Sequence, residues 1–143
     1  MELTNFGAIL SYADTIEQQD GAFYEWAAAH GSAALADFCT KSVAETKKFR
    51  STVQRVKREQ VTEMILEFID DFESSGYDFA HNREIDHDEG VLREHLAAME
   101  GRAVSYYTDA AAKLTGLPEV ARELKRLATR HEKRRAALAR LAP

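Results

Sequence analysis

A short pattern occurs twice in the chain, once in each half, and it limits how the chain can fold. Glu17 is followed six residues later by Phe-Tyr, and Glu100 is followed at the same distance by Tyr-Tyr. Both stretches continue into alanine-rich sequence, which favours a helix. Because one helical pattern recurs after about half the chain, the sequence predicts two helical hairpins related by a pseudo-two-fold axis.

The first half of the chain has the apolar spacing of two helices. We expect helix 1 to run from an N-cap at Thr4 to His30, with Gly31 just beyond its end. Helix 2 is expected to run from a cap at Ser32 to about Glu59. Their inward stripes, spaced by three and four, are Phe6, Leu10, Ala13, Glu17, Asp20, Tyr24 and Ala27, and then Leu35, Cys39, Ser42, Thr46, Phe49, Val53 and Val56.

The second half repeats this arrangement. Helix 3 is expected to begin near Asp88 and to end at Thr115–Gly116, and Pro118 occupies the favoured first turn of helix 4. The stripe of helix 3 contains Leu92 or Leu96, then Met99, Glu100, Ala103, Tyr106, Tyr107, Ala110 and Leu114. The stripe of helix 4 is Val120, Leu124, Leu127, His131, Arg134, Leu138 and Leu141.

The connection between helices 2 and 3, about residues 60–88, is too long for a hairpin turn. A long crossover places these two helices parallel. Within it, the stretch TEMILEFIDDF predicts a short helix that packs on the bundle through Met64, Ile65, Phe68, Ile69 and Phe72. The sequence therefore predicts an all-α four-helix bundle with a long crossover, as a single domain over residues 1–143.

Composition excludes several classes of protein. The chain of 143 residues has only 7 Gly and 2 Pro, which is typical of helical proteins. A net charge of −5 argues against nucleic-acid binding, and no segment approaches the roughly 20 apolar residues of a membrane span. The lone Cys39 and an N-terminus without a secretory pattern predict a cytoplasmic protein.

Charge is distributed unevenly along the chain. Residues 60–95 contain 11 acidic and 2 basic side chains, whereas residues 118–143 contain 8 basic and 3 acidic ones. Two solvated faces of opposite sign are one interpretation. The other is a pair of complementary patches that meet in a homodimer.

The four long helices, the long crossover and the repeated glutamate with its aromatic pair resemble the ferritin-like superfamily, specifically the rubrerythrin-type branch. The resemblance covers nearly the whole chain. It implies a di-iron centre inside the bundle, with one inward Glu from each of two helices and a Glu-x-x-His pair from each of the others. In that family, helices 2 and 4 have the motif L-A-x-E-E-x-x-H, in which the second Glu and the His are metal ligands.

This chain departs from the motif on both helices. Helix 4 reads L-A-T-R-H-E-K-R, so His131 occupies the position of the ligand Glu and Arg134 that of the ligand His. On helix 2, matching the motif puts Lys47 and Arg50 at the ligand positions, whereas the apolar phase puts Thr46 and Phe49 inward. The phase is favoured, because turning Lys47 inward and Phe49 outward is costly. Neither alternative supplies a Glu-x-x-His pair.

Two interpretations of the inward polar side chains follow. In the first, a metal-free ion cluster of Glu17, Asp20, Glu100, His131 and Arg134 occupies the cavity, since a guanidinium is permanently charged and cannot bind a metal. In the second, a remodelled site holds iron or another divalent metal through Glu17, Glu100 and His131. The resemblance implies that Tyr24 and Tyr107 line the site.

The other residues that could bind a metal or act as a nucleophile have weaker sequence patterns. His81, Asp86, His87 and Asp88 lie in the crossover without the spacing of a defined metal site, and Cys39 has no neighbour in sequence that would activate a thiol. The sequence thus predicts a degenerate rubrerythrin-like protein that acts as a non-catalytic scaffold, with a homodimer or an unknown protein as partner and without a cofactor. The alternatives are an atypical iron oxidoreductase and an adaptor unrelated to iron.

Overall fold

The chain folds into four long α-helices. The computed structural model describes residues 1–60, 68–85 and 88–141. The helices are α1 (Phe6–Ala28), α2 (Ala33–Glu59), α3 (Glu89–Lys113) and α4 (Pro118–Ala139). No strand occurs among the described residues, which confirms the all-α prediction for this part of the chain. None of the helices found there is both long and apolar enough to cross a membrane.

The helix starts follow from local capping. The side chains of Ser32 and Asp88 accept hydrogen bonds from backbone N–H groups in the first turns of α2 and α3. The cap at Ser32 and the start of helix 3 near Asp88 are as predicted. The prediction of Thr4 as the cap of α1 is wrong by one residue, because the Asn5 side chain accepts from the backbone N–H of Ala8 at 2.8 Å. The Thr4 carbonyl instead accepts from the backbone N–H of Ile69 at 2.8 Å.

The inward stripes are buried as the spacing predicts, except that Leu141 lies beyond the end of α4 and is only half-buried. Every stripe residue of α1 and α2 is buried, including the polar ones. On α2, Phe49 is 2% exposed and Thr46 is 3% exposed, while Lys47 faces solvent. The apolar phase of α2 is therefore correct, and the alternative that places Lys47 and Arg50 inward is wrong. Burying a phenyl ring stabilises the folded state by about 2 kcal/mol relative to leaving it exposed, whereas burying an ammonium group is costly. This difference explains why Phe49 and not Lys47 faces the core.

Contacts across the bundle fix the helix directions. The short turn between Ala28 and Ala33 makes α1 and α2 an antiparallel hairpin, and α3 and α4 form a second one. Tyr106 near the end of α3 donates to the carbonyl of Ile9 near the start of α1, at 2.5 Å. Hence α1 and α3 are antiparallel, and α2 and α3 run in the same direction. The connection of residues 60–88 joins opposite ends of the structure.

The predicted short helix in this connection is wrong where the structure describes it. Met64 and Ile65 lie outside the described residues. Phe68 is 73% exposed and not helical, although Ile69 and Phe72 are buried. Residues 69–74 instead pair with the N-terminal segment, and the backbone N–H of Leu3 donates to the Phe72 carbonyl at 2.8 Å. The side chains of Ile69 and Phe72 thus reach the core from a segment that is not helical, in which Asp71 has a φ of 55°. A short 3-10 helix, Ser74–Tyr77, follows.

Candidate functional site: a buried ion cluster

Four charged side chains from three helices meet inside the bundle. Glu17 extends from α1, Glu100 from α3, and His131 and Arg134 from consecutive turns of α4. The first three are 0% exposed and Arg134 is 5% exposed. Each occupies a stripe position, so the helical periodicity that forms the core also brings these charges together. We refer to these four residues as the core cluster.

The imidazole of His131 bridges the two carboxylates. Its Nε2 lies 2.8 Å from Glu17 Oε2, and its Nδ1 lies 2.7 Å from Glu100 Oε2. Burial alone would lower the pKa of His131, but the two carboxylates outweigh burial and raise this pKa to about 10. His131 is therefore an imidazolium at neutral pH, with both N–H groups donating to carboxylate oxygens.

The guanidinium of Arg134 connects the carboxylates to α2. Its Nε donates to Glu100 Oε1 at 2.9 Å, and its Nη2 forms an ion pair with the same oxygen at 2.7 Å. Its Nη1 donates to Thr46 Oγ1 at 2.9 Å, to Glu45 Oε1 at 3.1 Å and to the Ser42 carbonyl at 3.3 Å. Such a fork of fixed donors is what a guanidinium supplies and an ammonium does not.

Aromatic rings enclose the same cation. The Arg134 carbon Cζ lies 4.8 Å from the ring centroid of Tyr24 and 5.1 Å from that of Phe49. Both rings present their π-electrons to the cation, which favours it at this depth. Burial raises the pKa of Glu100, but His131 and Arg134 outweigh burial and lower this pKa to about 2. Glu100 is therefore ionised at neutral pH.

The two tyrosines that the resemblance places at the site each donate to one carboxylate. The Tyr24 hydroxyl donates to Glu100 Oε1 at 2.6 Å, and the Tyr107 hydroxyl donates to Glu17 Oε2 at 2.6 Å. Both are fully buried, and burial raises their pKa values well above the ordinary value. They act as neutral donors that stabilise the charged carboxylates.

Asp20, predicted as a fifth member of the cluster, belongs to a second polar group. Its Oδ1 accepts from Arg102 Nη2 at 2.6 Å and lies 2.9 Å from His81 Nε2. Arg102 also donates to the Tyr77 carbonyl at 3.0 Å, so this group attaches the connection between α2 and α3 to the bundle. Sequence reasoning missed Arg102. Its position three residues after Met99 could have indicated it, because residues three apart on a helix lie on the same face.

Asp88 and Cys39, two further candidates from the sequence, have structural rather than chemical roles. Asp86 and His87 lie outside the described residues. Asp88 caps α3, where its side chain accepts from the backbone N–H of Val91 at 3.1 Å. Cys39 is buried, and burial raises its thiol pKa to about 12, which keeps it protonated and unreactive.

The core cluster does not fit a di-iron centre. Both ring nitrogens of His131 carry protons held by carboxylates, and Arg134 has no lone pair to offer a metal. Both oxygens of Glu100 already accept hydrogen bonds, and only Glu17 Oε1 is without one. Over residues 1–60, 68–85 and 88–141, no group of three or more His, Cys, Asp or Glu side chains is arranged to hold a metal ion.

Neither protein-family models, nor curated proteins, nor solved structures yielded a match to this chain. The resemblance to rubrerythrin-type bundles therefore stays a prediction from the residues. The geometry of the core cluster is the basis for inferring function.

Proposed function

We propose that this chain is a rubrerythrin-type ferritin-like bundle in which the core cluster has replaced a di-iron centre. It acts as a non-catalytic scaffold or interaction protein, in the cytoplasm. One observation supports this above all others. The imidazolium of His131 lies between the two inward carboxylates, and the guanidinium of Arg134 pairs with Glu100. Together they engage three of the four carboxylate oxygens as hydrogen-bond acceptors.

In this proposal, positively charged side chains replace the positive charge of the metal ions. A di-iron site needs carboxylates and imidazoles to balance several positive charges on the metals. Here two protein cations face the carboxylates of Glu17 and Glu100, at distances of 2.7 to 2.8 Å. The resulting ion pairs are buried, and they persist because each charge has a partner and further hydrogen bonds. The bundle is thereby stabilised without a metal.

Iron reconstitution tests the proposal. The protein is incubated with ferrous iron under anaerobic conditions, exposed to air and desalted, and the metal is measured by inductively coupled plasma mass spectrometry. We expect much less than two irons per chain, because His131 and Arg134 cannot leave the carboxylates without orphaning buried charge. Two tightly held irons per chain with an oxo-bridge absorption band would show that the alternative, an iron oxidoreductase with a remodelled site, is right.

A double variant provides the matched control for that experiment. His131→Glu with Arg134→His restores one Glu-x-x-His pair on α4 and removes both cations from the cavity. We expect this variant to bind iron more tightly than the parent. It shows that the reconstitution protocol detects metal in this bundle.

We further propose that the chain forms an antiparallel homodimer through faces of opposite charge. Lys125, Arg130 and Lys133 are exposed on α4, and Asp71 and Glu73 are exposed in the connection. Opposite charges on separate faces are complementary when two copies pack about a two-fold axis. The partner inferred from this surface is a second copy of the chain.

Salt should weaken that association. Attraction between exposed charges is screened beyond about 8 Å at physiological ionic strength. Light scattering coupled to gel filtration should therefore show a dimer at low salt and a growing monomer fraction at high salt. Lys125→Glu should weaken the dimer, and Lys48→Glu on the outer face of α2 serves as the control. A monomer at every salt concentration contradicts the proposal.

A further inference from the structure

A part of the connection, residues 79–83, lies against α1 and α3, and we call it the strap. Three of its residues contact the bundle: Phe79 and His81 through their rings, and Asn82 through its backbone N–H group. His81 Nε2 lies 2.9 Å from Asp20 Oδ1, and Asp20 is 0% exposed. The strap therefore lies over a buried carboxylate.

A hydrogen bond that only a neutral imidazole can accept fastens the strap to α3. The backbone N–H of Asn82 donates to His95 Nε2 at 3.2 Å. Because a backbone N–H is always a donor, Nε2 offers its lone pair and the proton of the neutral ring is on Nδ1. A second proton on the ring places an N–H group opposite the N–H of Asn82, and the hydrogen bond is lost.

The surroundings of His95 favour the neutral ring. His95 is half-buried between Phe23 of α1 and Phe79 of the strap, whose ring centroids lie 5.0 and 4.7 Å from its own. Burial lowers the pKa of His95, and a positive charge on the neighbouring His81 lowers it further.

The other charged groups at this place do not offset that effect. Arg83 of the strap and Arg102 of α3 lie over the two phenyl rings, with Cζ 5.7 and 5.5 Å from the centroids. The carboxylate of Asp20 is already engaged by Arg102 and His81. Among the residues that the structure describes, no acidic side chain pairs with His95, so a charge on this ring has no counterion.

The residues just before the strap have their own attachments. The Tyr12 hydroxyl donates to the Ser74 carbonyl at 3.2 Å, and Arg102 donates to the Tyr77 carbonyl at 3.0 Å. Neither contact involves a group that titrates near neutral pH. Loss of the contact with His95 therefore frees the strap while the short 3-10 helix stays in place.

We propose that His95 is a pH-sensitive latch, which holds the strap on the bundle when the ring is neutral and releases it when the ring is protonated. Release takes the His81 ring away from Phe23 and Asp20, both 0% exposed in the closed form. Acidification thus exposes a face of the bundle that is covered at neutral pH. The latch goes beyond the scaffold function and depends neither on the dimer nor on the core cluster.

The direction of the response follows from proton linkage. The closed strap lowers the pKa of His95 from its ordinary 6.5, so the open form binds the proton more strongly. The contribution of His95 to closure is fully present above 6.5 and is lost as pH falls below that value.

Long-range 1H–15N NMR on the full chain tests the geometry of the latch. The two ring nitrogens of a neutral imidazole differ in chemical shift according to which one holds the proton. We expect the Nδ1–H tautomer of His95 at about pH 7.5, and a titration midpoint below the ordinary 6.5.

Amide hydrogen exchange tests the release of the strap. The exchange rates are measured by NMR from about pH 7.5 to about pH 5 and corrected for the intrinsic effect of pH. Protection of the Asn82 amide should fall about threefold to tenfold, which corresponds to the net contribution of one hydrogen bond. The amide of Leu3, which donates to the Phe72 carbonyl at 2.8 Å, is the internal control and should keep its protection.

Two histidine-to-glutamine variants form a matched pair. In His95→Gln the side-chain amide oxygen can accept from Asn82 at every pH, so protection of the Asn82 amide should no longer depend on pH. His30→Gln, in the exposed turn between α1 and α2, should respond to pH as the parent does.

Three results would overturn the proposal. They are an Nε2–H tautomer of His95 in the neutral protein, unchanged protection of the Asn82 amide at acidic pH, and the same pH response in His95→Gln as in the parent. The first two are measured on the unaltered chain and remain decisive if His95→Gln does not fold.

Discussion

Replacing Arg134 with leucine is expected to lower the free energy of unfolding by about 3 kcal/mol at neutral pH. The substitution removes the hydrogen bond and the ion pair to Glu100 Oε1 and the hydrogen bonds to α2, and it leaves Glu100 with only His131 as a buried cationic partner. A buried ion without its partner is among the costliest defects in a protein core. Urea unfolding followed by circular dichroism measures the change.

The loss should depend on pH. Without the guanidinium, the pKa of a carboxyl in the cluster rises, because burial and the neighbouring carboxylate both disfavour ionisation. A carboxyl whose folded-state pKa is raised destabilises the protein increasingly as pH rises through that value. The variant should therefore be closest to the parent at acidic pH. Arg130→Leu, one turn earlier on α4 and exposed, is the control and should change stability by less than about 0.5 kcal/mol.

The parent protein should also lose stability at alkaline pH because of His131. Its pKa is raised from an ordinary 6.5 to about 10 in the folded state. Below pH 6.5 both states hold the proton, so the contribution of His131 is fully present. Between that value and about 10 the unfolded chain has released the proton while the folded chain retains it. The free energy of unfolding should therefore fall by on the order of 4 kcal/mol as pH rises through this window.

Glu100 makes the protein lose stability as pH falls, whereas His131 makes it lose stability as pH rises. Its pKa is lowered from 4.5 to about 2, so its contribution is present above 4.5 and is lost as pH falls towards 2. For these two groups together, stability is highest between about pH 4.5 and 6.5. Urea unfolding at a series of pH values measures the curve.

Substitution of the histidine separates its contribution from those of other groups. His131→Gln should be less stable than the parent by several kcal/mol at acidic pH and should show a flatter decline above pH 6.5, because the titrating group is gone. His30→Gln, in the exposed turn between α1 and α2, should keep the slope of the parent. A parent and a His131→Gln variant with the same alkaline slope would show that His131 is not held as a cation.

The helices and the core cluster could be predicted because both depend on one periodicity. The 3.6-residue period that makes Leu127 and Leu138 inward also makes His131 and Arg134 inward on the same helix. On α2 the same period places Phe49 inward and Lys47 outward. Alignment to the rubrerythrin-type motif would instead place Lys47 inward. Apolar phase was the stronger signal, because burying a lysine in place of a phenylalanine is costly.

The parts that the sequence did not predict depend on contacts between distant segments. Thr4 has the chemistry of a helix cap, but its carbonyl pairs with Ile69, and this moves the start of α1 to Phe6. Residues 68–72 have a helical apolar pattern but are not helical, and the backbone of Ile69 and Phe72 pairs with the N-terminal segment. Asp20 lies on the same stripe as Glu17, yet Arg102 and a histidine from the connection engage it. Sequence periodicity specifies that a side chain is inward, but not which distant partner it meets.

The central claim is that His131 and Arg134 together neutralise the inward carboxylates of Glu17 and Glu100, with Arg134 paired to Glu100. The most direct measurement compares the free energies of unfolding of Arg134→Leu and of Arg134→Leu with Glu17→Gln and Glu100→Gln. In the triple variant no buried carboxylate lacks a partner, and His131 can lose its proton and become neutral. The account predicts that the triple variant recovers at least half of the stability lost in Arg134→Leu. A triple variant no more stable than Arg134→Leu would contradict it.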